Sequence, residues 1–375
     1  MKIVVDSHIP FMKGVLEQFA QVIYLPGSVI SRKDLIGADA LIVRTRTKCN
    51  PSLLEGTGVR FIATATIGYD HIDTQYCKEH NIFWTNAEGS NSSSVQQYIA
   101  AALLHLAGKL KLELKGKTVG IVGVGNVGKK VASLCETMGM RVLLNDPPRA
   151  RTEGQSAFVS LESILEHSDI ITLHVPLNEA GPDRTFHLVD EDFCLLLKPH
   201  QVLLNTSRGE VVDTLAIKNL LNNKKLAACG LDVWEEEPGI DLDLLKLVDI
   251  GTPHVAGYSA DGKANGTSMS IRALSRFFHL GIDEWFPGDL PVPEVTTLHL
   301  DCWKLTHQQV FENLIRFTYD IVADDRRLRG SPQTFELQRA DYPVRREFPV
   351  YTVRLLNADY AVTSLVRNIG FNLSP

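Results

Sequence analysis

The sequence predicts an α/β protein built of two doubly wound parallel-sheet domains followed by a small α+β domain. Three observations carry this. Short apolar strands alternate with helical stretches over most of the chain, which is the pattern of βαβ units and a parallel sheet. The alternation runs in two series, separated by a basic connector over 108–116. The composition then changes abruptly at Pro287-Gly288-Asp289-Leu290-Pro291-Val292-Pro293, a proline-rich stretch that reads as extended linker.

In the first series the expected strands are Lys2–Asp6, Val22–Leu25, Ala40–Arg44, Arg60–Ala65 and Ile82–Thr85, with helices at Met12–Ala20 and His71–His80. Asn91-Ser92-Ser93-Ser94 is an N-cap cluster that opens a helix over Val95–Leu106. The second series has strands at Thr118–Val122, Arg141–Leu144, Asp169–Val175, Gln201–Asn205 and Ala228–Val233. These runs lack polar alternation, as strands buried on both faces do. A helix over Asp261–Leu280 returns to the first domain and makes it discontinuous. Past the linker come a strand at Val295–Leu300 and a helix at Thr306–Asp324, with Val310, Leu314, Phe317 and Ile321 along one stripe. Phe335–Arg339 and Val350–Leu355 read as strands and Tyr360–Ile369 as a closing helix. The division expected is 1–92 with 258–285, 93–257, and 286–375. A segment of about 85 residues folds alone only marginally, so the last is expected to lean on a partner surface.

At 375 residues the chain is too long for one ordinary domain. Its 38 Lys and Arg against 44 Asp and Glu give a net charge of −6, so neither nucleic acid nor an anionic membrane is an expected partner. An anionic substrate must be held by a local basic cluster. No apolar run approaches the roughly 18 residues of a membrane span, and Met1–Asp6 reads as a strand rather than a signal peptide. The six cysteines never form a C-x-x-C pair, which points to reduced thiols in a cytoplasmic protein and to no metal framework. His71 with Asp73 reads as a solvent-facing pair, not as metal ligands.

The strongest chemical signal is Gly123-Val124-Gly125-Asn126-Val127-Gly128, which follows a strand and opens a helix. In this Rossmann fingerprint Gly123 makes the turn, Gly125 admits a pyrophosphate and Gly128 lets helix and strand pack closely. Asp146 ends the next strand, where a ribose-binding acid belongs. It favours NAD over NADP, with Arg149 and Arg151 near enough to leave a 2′-phosphate open.

Downstream stand His174-Val175-Pro176-Leu177, Leu204-Asn205-Thr206-Ser207-Arg208-Gly209-Glu210, Gly230-Leu231-Asp232-Val233-Trp234-Glu235-Glu236-Glu237-Pro238 and Thr252-Pro253-His254-Val255-Ala256-Gly257-Tyr258. In this order, after the glycine-rich turn, they resemble the D-isomer-specific 2-hydroxyacid dehydrogenase family over residues 1 to about 285. The resemblance implies a flavodoxin-like substrate domain, a Rossmann NAD domain, and a catalytic trio of Arg208, Glu237 and His254. The residue types suit the chemistry. Hydride leaving C2 of a hydroxy acid leaves a hydroxyl proton for a base, and an imidazole titrates in the right range. A carboxylate beside it orients the ring and favours its charged form. An arginine binds the substrate carboxylate and polarises the C2 oxygen. The choice of Glu237 over Glu236 rests on the resemblance alone. So do cofactor contacts at Asn126, Val127, Val175, Thr206, Ser207, Arg208 and Gly257, and at Asp232 beside the nicotinamide.

The chain as a whole is similar to a branch of the family that oxidises a four-carbon hydroxy acid carrying a 4-phosphate, in vitamin B6 biosynthesis. That resemblance implies substrate contacts at Thr45, Thr66 and Tyr258, and a homodimer formed through the C-terminal extension. The helix stripe over Thr306–Asp324 is the surface expected to meet a second copy. Arg44 and Arg46 lie just past a strand end of the first domain, where parallel sheets bind ligands, and are the expected phosphate ligands. Two other readings stay open here: 3-phosphoglycerate dehydrogenase, and a non-catalytic NAD(H)-sensing protein on the same scaffold.

Overall fold

The computed structural model describes residues 1–374. They form two compact units, Met1–Asn91 with Ser259–Pro291, and Ser92–Tyr258 with the chain from Val292 onward. The first unit is a five-stranded parallel sheet of β1 (Lys2–Asp6), β2 (Gln21–Leu25), β3 (Ala40–Val43), β4 (Phe61–Thr64) and β5 (Phe83–Thr85). Its strand order, β2-β1-β3-β4-β5, is that of flavodoxin-like doubly wound sheets. Every residue of β3 and β4 is buried, as central parallel strands require. The helix Ala260–Phe278 joins this unit, burying Ile271 and Leu274 against Ile3, Val5 and Phe61. The helix expected at Met12–Ala20 is a series of turns. Phe11 and Gly14 take φ of 61° and 85°, which no helix accommodates, although Met12 and Leu16 still reach the core.

The second unit carries a six-stranded parallel sheet of β6 (Thr118–Val122), β7 (Arg141–Asn145), β8 (Ile170–Leu173), β9 (Val202–Asn205), β10 (Ala228–Leu231) and β11 (Ile250–Gly251). The order is β11-β10-β9-β8-β6-β7, so the direction of winding reverses at β6. All residues of β6, β8, β9 and β10 are buried.

The C-terminal segment has its own parallel sheet of β12 (Thr297–Asp301), β13 (Thr352–Leu356) and β14 (Asn372–Leu373), in that order. Its helices, however, share one hydrophobic core with the helix Ser92–Leu110 and the β6 strand. It is therefore part of the second unit. The stripe expected to face a second copy is already covered by the chain itself: Val310, Leu314 and Ile321 are at most 3% exposed, and Phe317 is partly buried against the same core. The expected single helix is two, His307–Thr318 and Ile321–Gly330. Tyr319 is extended between them, and Asp320 caps the second by accepting from Val322 N and Ala323 N at 3.1 and 3.3 Å. Phe335–Arg339, expected as a strand, lies in a helix, Phe335–Ala340. It buries Phe335 and Gln338 at a spacing of three, and the Gln338 amide donates to Ser331 O at 2.8 Å.

Candidate active site

The chain leaves β6 and turns at Gly123 with φ of 86° before the helix Asn126–Thr137. A Cβ at Gly123 would lie 2.5 Å from the His174 carbonyl oxygen, and one at Gly128 2.1 Å from the Gly123 carbonyl oxygen. A Cβ at Gly125 would have no neighbour within 4 Å among the described residues. Two glycines are thus required by the protein's own packing. The third leaves clear the helix start, where Asn126 and Val127 open the first turn and the free N–H groups of a helix N-terminus favour an anion. Because β6 sits between β7 and β8, this turn lies at the switch point where open α/β sheets bind ligands.

Asp146, just past β7, accepts from Val124 N at 2.8 Å and from Arg149 N at 3.1 Å. It braces the glycine turn and caps the next helix with the same carboxylate. Arg149 makes a two-bond pair with Glu153 at 2.7 and 2.6 Å, and Arg151 pairs with Asp183 at 2.5 Å. Both arginines that left a 2′-phosphate open are engaged by carboxylates. His174 bridges Thr172 and Thr206 hydroxyls at 3.0 and 3.3 Å. Burial pushes its pKa down to about 3, so it stays neutral and ties the Val175 loop to the Thr206 loop. Ser207 donates its hydroxyl to Asn205 Oδ1 at 2.6 Å, which holds that loop shut at its base.

Arg208, Glu237 and His254 follow β9, β10 and β11, which are adjacent and parallel. The three loops therefore share one end of the sheet. Glu237 Oε2 lies 2.8 Å from His254 Nδ1, and its other oxygen accepts from Trp234 N at 3.0 Å. Glu235 is used elsewhere, accepting from His187 and from Thr214 N, and Glu236 is exposed. Burial alone raises the pKa of Glu237, but the His254 charge and hydrogen bond, the Trp234 N–H and Arg339 together hold it below the usual carboxylate range. With Nδ1 engaged, Nε2 is the nitrogen left for a reacting group. Arg208 follows in close register: a Cβ at Gly209 would lie 2.0 Å from the Trp234 carbonyl. The turn carrying Arg208 is pressed against the chain that leads to Glu237.

His254 has φ of 56°, a left-handed conformation that a non-glycine residue keeps only when its surroundings enforce it. Asp232, 1% exposed, supplies part of that force. Its carboxylate accepts from Thr252 Oγ1 at 2.6 Å and from Val255 N and Ala256 N at 2.8 Å each. Asp232, expected as a cofactor contact, thus also ties down the loop that carries His254 and runs on through Gly257 to Tyr258.

In the first unit, Arg44, Thr45 and Arg46 follow β3, and Thr66 follows its neighbour β4. The two loops are stitched by Ala65 N donating to Val43 O at 2.9 Å. Thr66 Oγ1 lies 2.6 Å from Thr64 Oγ1 and donates to Gly68 O at 3.1 Å. Arg44 is half-buried and donates to His8 O at 3.4 Å, while Thr45 is exposed. Asp73 caps the helix Thr74–Glu79, and among the described residues no group of three His, Cys, Asp or Glu is placed to hold a metal.

The sequence reading missed the contribution of the C-terminal segment. Arg345, Arg346 and Glu347 are consecutive charged residues, yet they are 4%, 7% and 9% exposed. Arg345 reaches the carbonyls of Val255 and Ala256. The Arg339 guanidinium lies 5.5 Å from the centre of the Tyr258 ring. No local pattern marks either arginine, because their partners are about 80 to 90 residues away.

Residues 93–256 match the family model described as D-isomer specific 2-hydroxyacid dehydrogenase, NAD binding domain, and residues 290–370 match one described as a domain of unknown function. The chain is 49% identical to an erythronate-4-phosphate dehydrogenase of Bacteroides fragilis over 94% of its length and 99% of the relative. It is 42% identical to that of Porphyromonas gingivalis over 99% of this chain and all of the relative. Among solved structures, the Aquifex aeolicus D-lactate dehydrogenase complexed with NAD and lactic acid is 26% identical, with a TM-score of 0.61 over 78% of this chain and 100% of that one.

Proposed function

Since this chain belongs to the D-isomer-specific 2-hydroxyacid dehydrogenase family, we propose that it oxidises 4-phospho-D-erythronate to (R)-3-hydroxy-2-oxo-4-phosphooxybutanoate with NAD, a step of vitamin B6 biosynthesis. The observation that carries the reading is the 2.8 Å contact between Glu237 and His254 Nδ1, on strand ends adjacent to the one that bears Arg208.

The residues at the glycine turn fit a dinucleotide. Gly125 has room where the protein itself places nothing, and the helix beginning at Asn126 and Val127 directs N–H groups there. Asp146 is the ribose ligand. Val175, Thr206, Ser207, Arg208, Asp232 and Gly257 line the nicotinamide end, several through backbone atoms. When bound, NAD accepts the hydride from C2. Arg208 binds the substrate carboxylate and polarises the C2 oxygen. His254 Nε2 takes the hydroxyl proton as the C2 carbonyl forms, and Glu237 stabilises the resulting imidazolium. Thr45, Thr66 and Tyr258 contact the substrate, and Arg44 and Arg46 hold its phosphate through charge-assisted bonds. The long Arg44 contact to a neutral carbonyl leaves that cation available for a dianion.

NADH formation from 4-phospho-D-erythronate tests the reading. His254→Asn retains NAD affinity and loses roughly 10²–10⁴-fold in turnover; equal turnover removes His254 from the mechanism. Arg44→Ala raises KM for the phosphorylated acid about ten- to hundredfold, the loss of a hydrogen bond to a charged group. An equal rise for D-erythronate places Arg44 away from the phosphate.

The chain forms a homodimer in the cytoplasm on this reading. What supports the dimer is the C-terminal sheet. Parallel sheets are normally covered on both faces, but His299, Asp301, Arg354 and Leu356 share an exposed face in register, and Trp303 beside it is 66% exposed. What supports the compartment is six free, buried cysteines. No helix of the described residues is long and apolar enough to cross a membrane.

A further inference from the structure

The loop that carries His254 is gripped from two sides. On one, Asp232 accepts from Val255 N and Ala256 N at 2.8 Å each. On the other, Arg345 Nη2 donates to the carbonyl oxygens of the same two residues, Val255 at 3.2 Å and Ala256 at 2.5 Å. A buried carboxylate at the N–H ends and a buried guanidinium at the C=O ends hold these peptide groups between opposite charges.

Arg345 is poorly suited to any role in stability alone. It is 4% exposed, and among the described residues its Nε and Nη1 have no hydrogen-bond partner. The nearby carboxylate of Asp324 is taken by the Tyr319 and Tyr342 hydroxyls at 2.9 and 2.6 Å and by Arg327 at 3.1 Å. The guanidinium instead lies over the Tyr319 ring at 4.5 Å and near that of Tyr342 at 5.8 Å. Burying a cation with three of its five N–H donors unused is costly, and the hydrogen bonds this one does make go to two loop carbonyls. What an apolar side chain cannot do is hold two carbonyls one and two residues after His254, in a loop whose left-handed turn at His254 must be enforced.

From this geometry we infer that Arg345 is a positioning residue for His254, so that the C-terminal segment is part of the catalytic apparatus rather than an appended module. The inference rests on the dehydrogenase reading above. Arg345 touches neither substrate nor cofactor in this role. It acts through the loop backbone, fixing where His254 Nε2 stands relative to Arg208.

A double-mutant cycle on the full-length enzyme decides it. Arg345→Met fills the same space without donors or charge. It is expected to fold, to keep NAD affinity and substrate KM within a few-fold, and to lose roughly 10- to 100-fold in kcat, as a small misplacement of a catalytic group does. Arg345→Lys, which keeps the charge and can reach one carbonyl, recovers part of the loss. On a His254→Asn background, Arg345→Met costs less than about twofold further, because residues acting as one unit are not additive. The inference is overturned if Arg345→Met keeps the wild-type kcat, or if it costs as much without His254 as with it. Should the methionine variant not fold, Arg345→Lys is carried through the same cycle with the same criteria. If the wild-type chain ignores 4-phospho-D-erythronate but oxidises another 2-hydroxy acid, the substrate reading fails, and the cycle run with that acid still decides the role of Arg345.

Discussion

Replacing Glu237 by Gln keeps the shape of the dyad and removes one charge. In the structure the Glu237 carboxylate lies 2.8 Å from His254 Nδ1, with side-chain exposures of 19% and 31%. A hydrogen bond to a charged group contributes roughly 1.5–3 kcal/mol, and partial exposure of both partners places this one at the lower end. About 1.5 kcal/mol corresponds to roughly tenfold in rate. In Glu237→Gln kcat/KM is therefore expected to fall roughly tenfold or more, as the ring loses its orientation and its imidazolium loses a neighbouring charge. The stability change has its own sign. Glu237 is held below the usual carboxylate range when folded, so its contribution is present above the unfolded value of about 4.3 and is lost as pH falls through the folded value. Urea midpoints of variant and wild type differ at neutral pH and converge in acid. Wild-type kcat/KM in Glu237→Gln, together with a loss of roughly tenfold or more in Glu236→Gln, would refute the assignment.

Three further outcomes follow from the same structure. Asp146→Ala removes the brace on Val124 N; NAD binding weakens and the NAD-to-NADP preference falls, and an unchanged preference ratio, read from the two KM values, would misplace the ribose site. Gly209→Ala forces a Cβ to within 2.0 Å of backbone at Trp234, so the variant should lose about 2–3 kcal/mol in urea unfolding, since overpacking against rigid structure costs about this much. A Gly209→Ala protein of wild-type stability would mean that the two loops are not in contact. Ending the chain at residue 290 strips Val310, Phe311, Leu314, Ile315, Val353 and Val366 from the core they share with the helix Ser92–Leu110. At roughly 1.5–3 kcal/mol each, that loss matches the 5–15 kcal/mol or so that a whole domain has to spare. The truncated chain should be insoluble or unfolded by circular dichroism; a folded monomer would contradict the shared core.

Much of the fold could be read ahead of the structure because its central strands leave no alternative. Runs such as Thr118–Val122 and Val202–Asn205 carry no polar alternation, and they are buried on both faces. The stripe Val310, Leu314, Phe317 and Ile321 was rightly apolar, but periodicity tells that a face is covered and not by what. Here the cover is the chain itself. Phe335–Arg339 is too short for a period of two to be told from one near three and a half. Within Glu235-Glu236-Glu237 no sequence feature singles out one carboxylate. The choice is made by a backbone turn with φ of 60° at Glu236, which leaves Glu236 exposed and Glu237 on His254. Arg345 was invisible for a different reason: a buried cation's partners come from tertiary structure, here two carbonyls about 90 residues earlier in the chain.

The central claim is oxidation at C2 of a phosphorylated four-carbon acid by the Arg208, Glu237 and His254 arrangement. The most direct test is kcat/KM for NADH formation from 4-phospho-D-erythronate, D-3-phosphoglycerate and D-erythronate, measured side by side with wild type and His254→Asn. The account predicts that 4-phospho-D-erythronate is the best of the three, that D-erythronate is worse by about ten- to hundredfold for want of the phosphate contact, and that His254→Asn lowers all three in parallel. Equal or faster turnover of 3-phosphoglycerate, or activity that survives His254→Asn, would contradict it.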